Sequence, residues 1–473
     1  MLAYCAPQKG GNMQRKTDNT GIRICFLPAL LALTPASVLA GGYALNEQGA
    51  AASGVANAGA VANPENASTV YFNPAGMTAL EGTQVSFGAA VLDITGEFEG
   101  SAVRDNGTPV SGNDGGDFVP TAVVPNLYLN HELNDNVAVG FGLNAPYGLS
   151  ADYDDGFVGR FFADETDLRV LSFSPAMAFT DNDGFSAGFS INVLYGEGTL
   201  SKFQDFRSLG LPQDGYFEVE GDDVAVNYTF GIQYQPVEST RFGLVFRTET
   251  ELDLEGDATL TNTPIFGPGG PTAQTQTVTE RARVPLAIPE QLSFGVSHKL
   301  VDNVTWLASA SWTRWSRFES LDVLSAQANA GTPNETISFL GERKYGEPGV
   351  IGHVTEKWDD TWSAATGVIW QATPAVALKA GYAFDESPVN DNFRTARVPS
   401  EDRHWLTLGG QYAHAASGWT VDLAAGYLII DDPEVDEQEY TFGDSQPTPG
   451  AARLTGEYEL DVWGAAIQLT KTF

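Results

Sequence analysis

From Thr83 onward the chain alternates apolar residues with small or polar ones at a period of two. Val85, Phe87, Ala89 and Val91 share one face of such a run. Val137, Val139, Phe141 and Leu143 share another, opposed by Ala138, Gly140, Gly142 and Asn144. The clearest run sets Val224, Val226, Tyr228, Phe230, Ile232 and Tyr234 against Ala225, Asn227, Thr229, Gly231 and Gln233. Successive side chains of a strand point to opposite faces, so each run is a strand with one apolar face. A soluble sandwich alternates too. Here the opposing positions are mostly Gly, Ser, Ala, Asn and Thr, and Tyr, Trp or Phe recurs at strand ends. A membrane barrel needs this combination: apolar toward lipid, small or polar toward the lumen, aromatic at both interfaces.

The connections separate the two folds. Short turns fall at Asn134-Asp135-Asn136, Asp181 to Gly184, Pro236 to Ser239, Val301 to Asn303, Thr373 to Ala375 and Ala415 to Ser417. Between them lie long excursions near 99–120, 145–165, 202–221, 256–280, 322–358, 386–401 and 432–455. Six short turns alternating with seven long loops make fourteen strands, with both ends on the short-turn side. A sandwich has no reason to segregate loop length by side. The predicted fold is all-β, a 14-stranded antiparallel transmembrane barrel over 83–473, and 41–82 is an N-terminal hatch inside its lumen. That segment is rich in Gly, Ala and Asn, shows no strand period, and closes on Asn73-Pro74-Ala75. Pro74 holds its own φ and keeps Asn73 out of the helical region. Taken alone, those three residues read first as an ordinary Asn-Pro turn.

Residues 1–40 read as an export signal with some upstream residues. Arg15, Lys16 and Arg23 precede the short apolar run Ile24 to Leu33, and Val38-Leu39-Ala40 offers a cleavage site after Ala40. Met13 is a plausible start. Cys5 and Cys25 both lie in this part, so the exported chain is expected to have no disulfide and no cysteine-based site. His131, His298, His353, His404 and His414 make no metal-spaced pair, and no cofactor is expected. The formal net charge is −35, which argues against nucleic acid as a partner. Seven acidic residues fall between Asp431 and Asp444, either a solvated loop or a place for divalent cations.

Spaced segments across the chain carry a resemblance. They are Gly42 to Glu47 (GYALNE), Asn73-Pro74-Ala75, Tyr147-Gly148-Leu149, Ile288-Pro289-Glu290, Trp312 to Phe318 (WTRWSRF), Gly381 to Val389 and Pro399 to Trp405 (PSEDRHW). In this order the chain resembles the FadL family of outer-membrane transporters for long-chain fatty acids and other hydrophobic molecules. The resemblance implies passive transport. Substrate is captured on an apolar groove between loops three and four, then held in a lumen pocket beside the hatch. It leaves sideways into the membrane where strand three kinks inward against Asn73-Pro74-Ala75. Neutral hydrocarbons, alkanes or aromatics, are the alternative cargo. A general diffusion porin or a barrel enzyme fits less well.

Candidate site residues follow. Gly140, Gly142 and Pro146 would weaken pairing in strand three. Phe203, Phe206, Leu209 and Leu211 of loop three sit at roughly helical spacing, as a groove or as the loop's own packing. A fatty carboxylate needs a cation, because an unpaired buried charge is costly. The strand phase puts Arg247, Lys379 and Arg403 in the lumen. The family has a basic residue before a Phe after strand five, which here is Lys202-Phe203 and implies Lys202 as first choice. Each cation has the alternative of pairing with hatch or wall acids. The expected partners are long-chain fatty acid or hydrocarbon, outer-membrane lipid and lipopolysaccharide, and the barrel-assembly machinery through the C-terminal strand ending in Phe473. The expected state is a monomer.

Overall fold

The computed structural model describes residues 41–207, 210–327, 332, 334–443, 447 and 452–473. The proposed export signal and Leu209 lie outside the described residues. Fourteen antiparallel strands close on themselves. They are β1 (Thr83–Val103), β2 (Ala122–Asn134), β3 (Val137–Asp152), β4 (Glu165–Thr180), β5 (Phe185–Gln204) and β6 (Gly215–Val237). β7 runs Thr240–Arg247 and resumes at Thr250–Gly267; β8 runs Gly270–Ile288 and Gln291–Val301. β9 runs Val304–Thr313 and Ser320–Ser325; β10 runs Val350–Thr355 and Thr361–Thr373. β11 (Val376–Asp385), β12 (Arg403–His414), β13 (Trp419–Ile430, then Glu434–Gln438) and β14 (Arg453–Thr472) complete the wall. β1 meets β14 in unbroken register from Gln84↔Thr472 to Val103↔Arg453, so the sheet has no free edge. Closure satisfies the backbone of a sheet in lipid.

The wall is inside-out relative to a soluble protein. On β6, Phe230 is 52% exposed while Asn227 and Thr229 on the opposite face are 1% exposed. Five strands break or bend near one level, at 248–249, 289–290, 314–319, 356–360 and 431–433. Above that level the outward residues change character. Phe246 and Phe294 give way to Glu251 and Glu255, and Trp463 gives way to Asp461, Glu459 and Glu457.

Above the lipid belt the lumen, not the outside, is apolar. Leu92, Ile94, Phe98, Leu168, Leu252 and Leu254 point inward into one large core. The segments 104–121, 153–164 and 386–402 fold down into it. Tyr153 stacks between Phe118 and Phe157, with centroids 4.6 and 4.1 Å away. The strands therefore extend well beyond the expected loop starts. β7 and β8 form an extended hairpin through 256–280, and Tyr147-Gly148-Leu149 lies inside β3 rather than after it. The six short turns fall where the alternation put them.

Residues 41–82 pack inside the barrel and touch strands around its circumference. A one-turn helix at Ala50–Ser53 faces β12, β13 and β14; a second at Thr69–Phe72 leads into the 3-10 turn Pro74–Ala79, which faces β2 to β6. Lumen glycines let backbone approach backbone there. A Cβ on Gly231 would sit 2.0 Å from Asn73 Oδ1, and one on Gly243 would sit 2.0 Å from Val61 O.

Candidate functional site

Several ties hold the inner segment to the wall, three of them made by buried side chains at Lys379, Asn73 and Gln233. Lys379 Nζ on β11 donates to Glu65 Oε2 at 2.6 Å, to Ala51 O at 3.0 Å and to Asp422 Oδ1 on β13 at 3.3 Å. Asn73 Nδ2 donates to Val61 O at 2.7 Å and to Ile232 O on β6 at 3.1 Å, while its Oδ1 accepts from Ala75 N at 3.0 Å. Gln233 Nε2 donates to Val61 O at 2.9 Å. The Asn73-Pro74-Ala75 turn is therefore seated on β5 and β6, against Gly188 and Gly231, and not against a kink in β3 as the resemblance implied. Its own amide makes the reason clear: one side chain closes the turn and reaches the β6 backbone at once.

β3 does depart from the wall. It pairs with β2 from Asn134↔Val137 to Asn126↔Asn144 and then stops, although β2 continues to Ala122 on its β1 side. On the β4 side the register slips between Asn144 and Tyr147, leaving Ala145 and Pro146 as a bulge. Beyond it, β3 pairs with the start of the inner segment. Leu45 N donates to Pro146 O and Gly148 N donates to Tyr43 O, both at 2.9 Å, and Ala44 bridges Tyr147. Between Ala122–Pro125 of β2 and Ala145–Ser150 of β3 the wall therefore lacks strand pairing, while Ala145–Ser150 stay buried.

Of the three residues expected to weaken pairing, Pro146 sits in the bulge. Gly140 and Gly142 are fully paired with Asn130 and Tyr128. They serve instead as close-approach positions: a Cβ on Gly140 would meet Met77 Sδ at 2.6 Å and Val70 at 2.7 Å.

The strap of residues 43–47 partitions the lumen. Tyr43 is caged by Trp315, Phe318, Trp358 and Tyr147, with centroids 4.7, 5.7, 5.7 and 6.2 Å away, and its hydroxyl donates to Ala287 O. Gly42, at φ +67°, passes beneath Trp358 and Trp315, where a Cβ would come within 3 Å of both rings. Two of the quoted motifs meet beside this cage: Glu290 accepts from Arg314 at 3.2 Å and from Arg317.

On the outer side of the strap lies an apolar cavity of about 50 Å³, lined by Leu149, Leu168, Leu200, Leu254, Leu286 and Phe318 with Arg397 and Glu356 at its wall. On the inner side lies a chamber of about 160 Å³ with a mixed lining, in which Arg247, Arg403, Asp385, Glu47 and the hydroxyls of Ser293, Ser309 and Ser311 sit among apolar side chains such as Val61, Phe72 and Phe384. Ala44 to Glu47, Pro146 and Tyr147 also line this chamber, so it abuts the departing strand.

The candidate cations separate by partner. Lys202 belongs to the end of β5, not to a loop, and its Nζ lies 3.8 Å from Glu439 Oε1, which Lys344 also engages at 2.6 Å. Arg403 is buried and paired with Asp385. Arg247 lies over the Tyr71 ring at 4.6 Å, in reach of Tyr71 O and Oη and Thr229 Oγ1. Arg397 donates to Glu165 O at 3.1 Å, Thr166 Oγ1 at 2.9 Å and Ser201 O at 2.8 Å. Among the described residues neither Arg247 nor Arg397 has a carboxylate within ion-pair distance. Arg397 escaped the sequence reading because it stands in an expected outer loop. Gln48, described below, directly follows the GYALNE match and carried no charge to mark it.

Loop three offers no open helical groove among its described residues. Phe203 packs edge-on to Tyr216 at 5.2 Å, and Phe206 and Leu211 are buried in the apolar core. In the roof of the cavity, burial pushes the Glu356 carboxyl up to about 8, despite its 2.9 Å bond from Trp358 Nε1, and Glu437 raises it further. Burial likewise pushes Glu437 up to about 7, opposed by the Ala396 N–H and by Arg397.

A closed barrel with an apolar outer belt and a lumen packed by residues 41–82 has the architecture of an outer-membrane barrel protein. Comparison with known proteins agrees. The chain belongs to the family described as outer membrane protein transport protein (OMPP1/FadL/TodX), whose sequence profile matches residues 31–473. Its members are transport channels and not enzymes. The long-chain fatty acid transport protein of Escherichia coli O6:H1 is 24% identical over 457 residues, covering 91% of this chain and 96% of its own. The crystal structure of a Pseudomonas aeruginosa FadL homologue superposes with a TM-score of 0.79 at 22% identity, over 91% of this chain and 99% of the other. That of the Ralstonia pickettii toluene transporter TbuX gives 0.63 at 17%, over 91% and 99%.

Proposed function

We propose that this protein carries long-chain fatty acids passively across the outer membrane. The acid enters the apolar cavity under the 386–402 segment, passes the Tyr43 strap, and leaves sideways between β2 and β3. The observation that carries the reading is the coincidence of cavity, strap and broken β2–β3 pairing: β3 gives up β2 to pair with the strap that floors the cavity. A lateral exit suits an apolar cargo, because it reaches lipid without crossing water. The name of the Escherichia coli relative supports fatty acid as the cargo. In this scheme residues 1–40 are removed on export, 41–82 form the hatch and 83–473 the barrel.

Arg397 is the cation best placed for a carboxylate: it faces the apolar cavity and, among the described residues, has no carboxylate at ion-pair distance, although the charges of Glu437 and Glu356 act on it from farther away. Arg247 stands second, in the inner chamber. Lys202 recedes because Glu439 holds it. A neutral hydrocarbon is the second reading, favoured by the apolar lining away from Arg397 and Glu356. The test is labelled oleate and hexadecane uptake by cells whose only such transporter is this protein. Oleate uptake above the empty-vector rate supports the first reading; hexadecane uptake alone supports the second. Neither would refute both.

A further inference from the structure

Where β3 leaves β2, one uncharged side chain occupies the junction. Gln48 is 0% exposed. Its Nε2 donates to Ala145 O at 2.7 Å and to Leu45 O at 3.0 Å. Its Oε1 accepts from Asn144 Nδ2 at 2.8 Å, and its carbonyl accepts from the Tyr128 hydroxyl on β2 at 2.9 Å. One residue of the inner segment thus binds the last paired residue of β3, the first bulged residue of β3, the strap, and β2. Beside it, Leu45 N–H and Tyr43 C=O take up Pro146 C=O and Gly148 N–H. Pro146 has no N–H of its own to offer a neighbour.

These are bonds that a straight β3 would make elsewhere. If the register Asn126↔Asn144 simply continued, Val124 would face Pro146 and Val123 would face Tyr147, and the wall would be shut. The β2 edge needed for that pairing is present, ordered as strand back to Ala122. Closed and open walls therefore differ in which edge β3 uses: β2, or the Tyr43–Leu45 strap. Backbone groups at this depth must be satisfied one way or the other.

We propose that Gln48 is the positioning residue that holds the wall open, by locking β3 onto the strap in place of β2. The assignment rests on the lateral-exit reading. Without the Gln48 amide, Ala145 C=O and Asn144 Nδ2 lose their partners in a buried place, and re-pairing with β2 becomes the better way to satisfy β3. Tyr43 and its cage then have no fixed seat, and the gap closes.

The test uses cysteines in place of Val123 and Tyr147, which face each other only in the closed register. In the full-length barrel, the rate of disulfide formation under fixed oxidant is compared between Gln48 and Gln48→Met backgrounds. The expected result is about a tenfold faster bridge with Gln48→Met, one buried hydrogen bond's worth of shift. In the cysteine-free background, Gln48→Met should lower oleate uptake by about the same factor and leave oleate binding to the purified protein unchanged. An equal bridging rate in both backgrounds overturns the proposal, whatever uptake does. Faster bridging with undiminished uptake keeps the lock but sinks the lateral exit. If Gln48→Met does not assemble, Leu45→Pro, which removes the strap's donor to Pro146 C=O, is read by the same two measurements.

Discussion

Lys379 on the barrel wall and Glu65 on the inner segment meet at 2.6 Å with the lysine 1% exposed, so the inner segment is fastened to the wall by a buried charge. Asp422 at 3.3 Å shares the same ammonium. Removing the lysine leaves two acids facing each other in a low-dielectric place. Breaking a buried pair from one side costs about 3–5 kcal/mol. Lys379→Met is expected to loosen the inner segment and to turn a quiet barrel into one with large, fluctuating conductance in planar bilayers. Adding Glu65→Gln and Asp422→Asn should quieten it again. A quiet Lys379→Met barrel would show that the uncharged ties, at Asn73, Gln233 and the strap, suffice without it.

The close seat of the Asn73 turn makes a second prediction. Gly231→Val places carbon where Asn73 Oδ1 now lies. Overpacking of this kind costs about 1–3 kcal/mol, and here it falls on the plug rather than on the strand. Protease nicking within 60–80 should rise while the barrel keeps its resistance to unfolding in detergent at elevated temperature. Equal loss of both would place the glycine's role in the wall.

Cargo chemistry can be read from two arginines. If the carboxylate lies by Arg397, Arg397→Met loses a charge-assisted hydrogen bond worth roughly 1.5–3 kcal/mol, about ten- to a hundredfold in oleate affinity. Hexadecane should bind nearly as before. Arg247→Met should act more weakly, and Lys202→Ala and Arg403→Ala should change the oleate-to-hexadecane ratio little. A ratio unmoved by all four would favour the neutral hydrocarbon.

The cavity roof should depend on pH. Glu356 and Glu437 are both raised by burial, to about 8 and about 7, and they share Arg397; Lys202 and Glu439 also face Glu437. A carboxyl raised on folding is still protonated in the native protein when the unfolded chain has already ionised. Stability from these groups is therefore lost as pH climbs from the ordinary carboxylate range through about 8. Limited proteolysis of the 386–402 segment should quicken between pH 6 and pH 8.5, and Glu356→Gln should flatten that slope. A slope of opposite sign would mean the roof is held by the ionised forms.

The barrel was legible in the sequence because lipid imposes a simple rule on every second residue. The strand extensions were hidden for the same reason. On β1, apolar residues occupy odd positions through Val91 and even positions from Leu92 to Phe98, because above the lipid the apolar side turns inward. The phase flip hides how far such a strand runs, and the excursion expected near 99 is still strand to Val103. The inner chamber was partly legible, since Arg247 and Arg403 were placed in the lumen by phase and do line one cavity. Gln48 and Arg397 were not, because their roles come from neighbours far away in the chain: Asn144 and Ala145 for one, Glu165 and Ser201 for the other. The seat of the Asn73-Pro74-Ala75 turn on β5 and β6 was not legible either, because it depends on Gly188 and Gly231 far along the chain, while the strap from 43 to 48 occupies the β3 bulge.

The most direct test of lateral exit is a bridge across the gap. Cysteines replacing Val124 on β2 and Leu149 on β3 would be joined by a short bifunctional maleimide, with the monofunctional reagent on the same pair as control. Once bridged, the protein should bind oleate as well as the singly capped control, whose Leu149 position in the cavity lining is equally altered, but should pass none to the cell, while that control keeps its uptake. Uptake at the control rate with the bridge complete would contradict the lateral route and send the substrate straight through the plug.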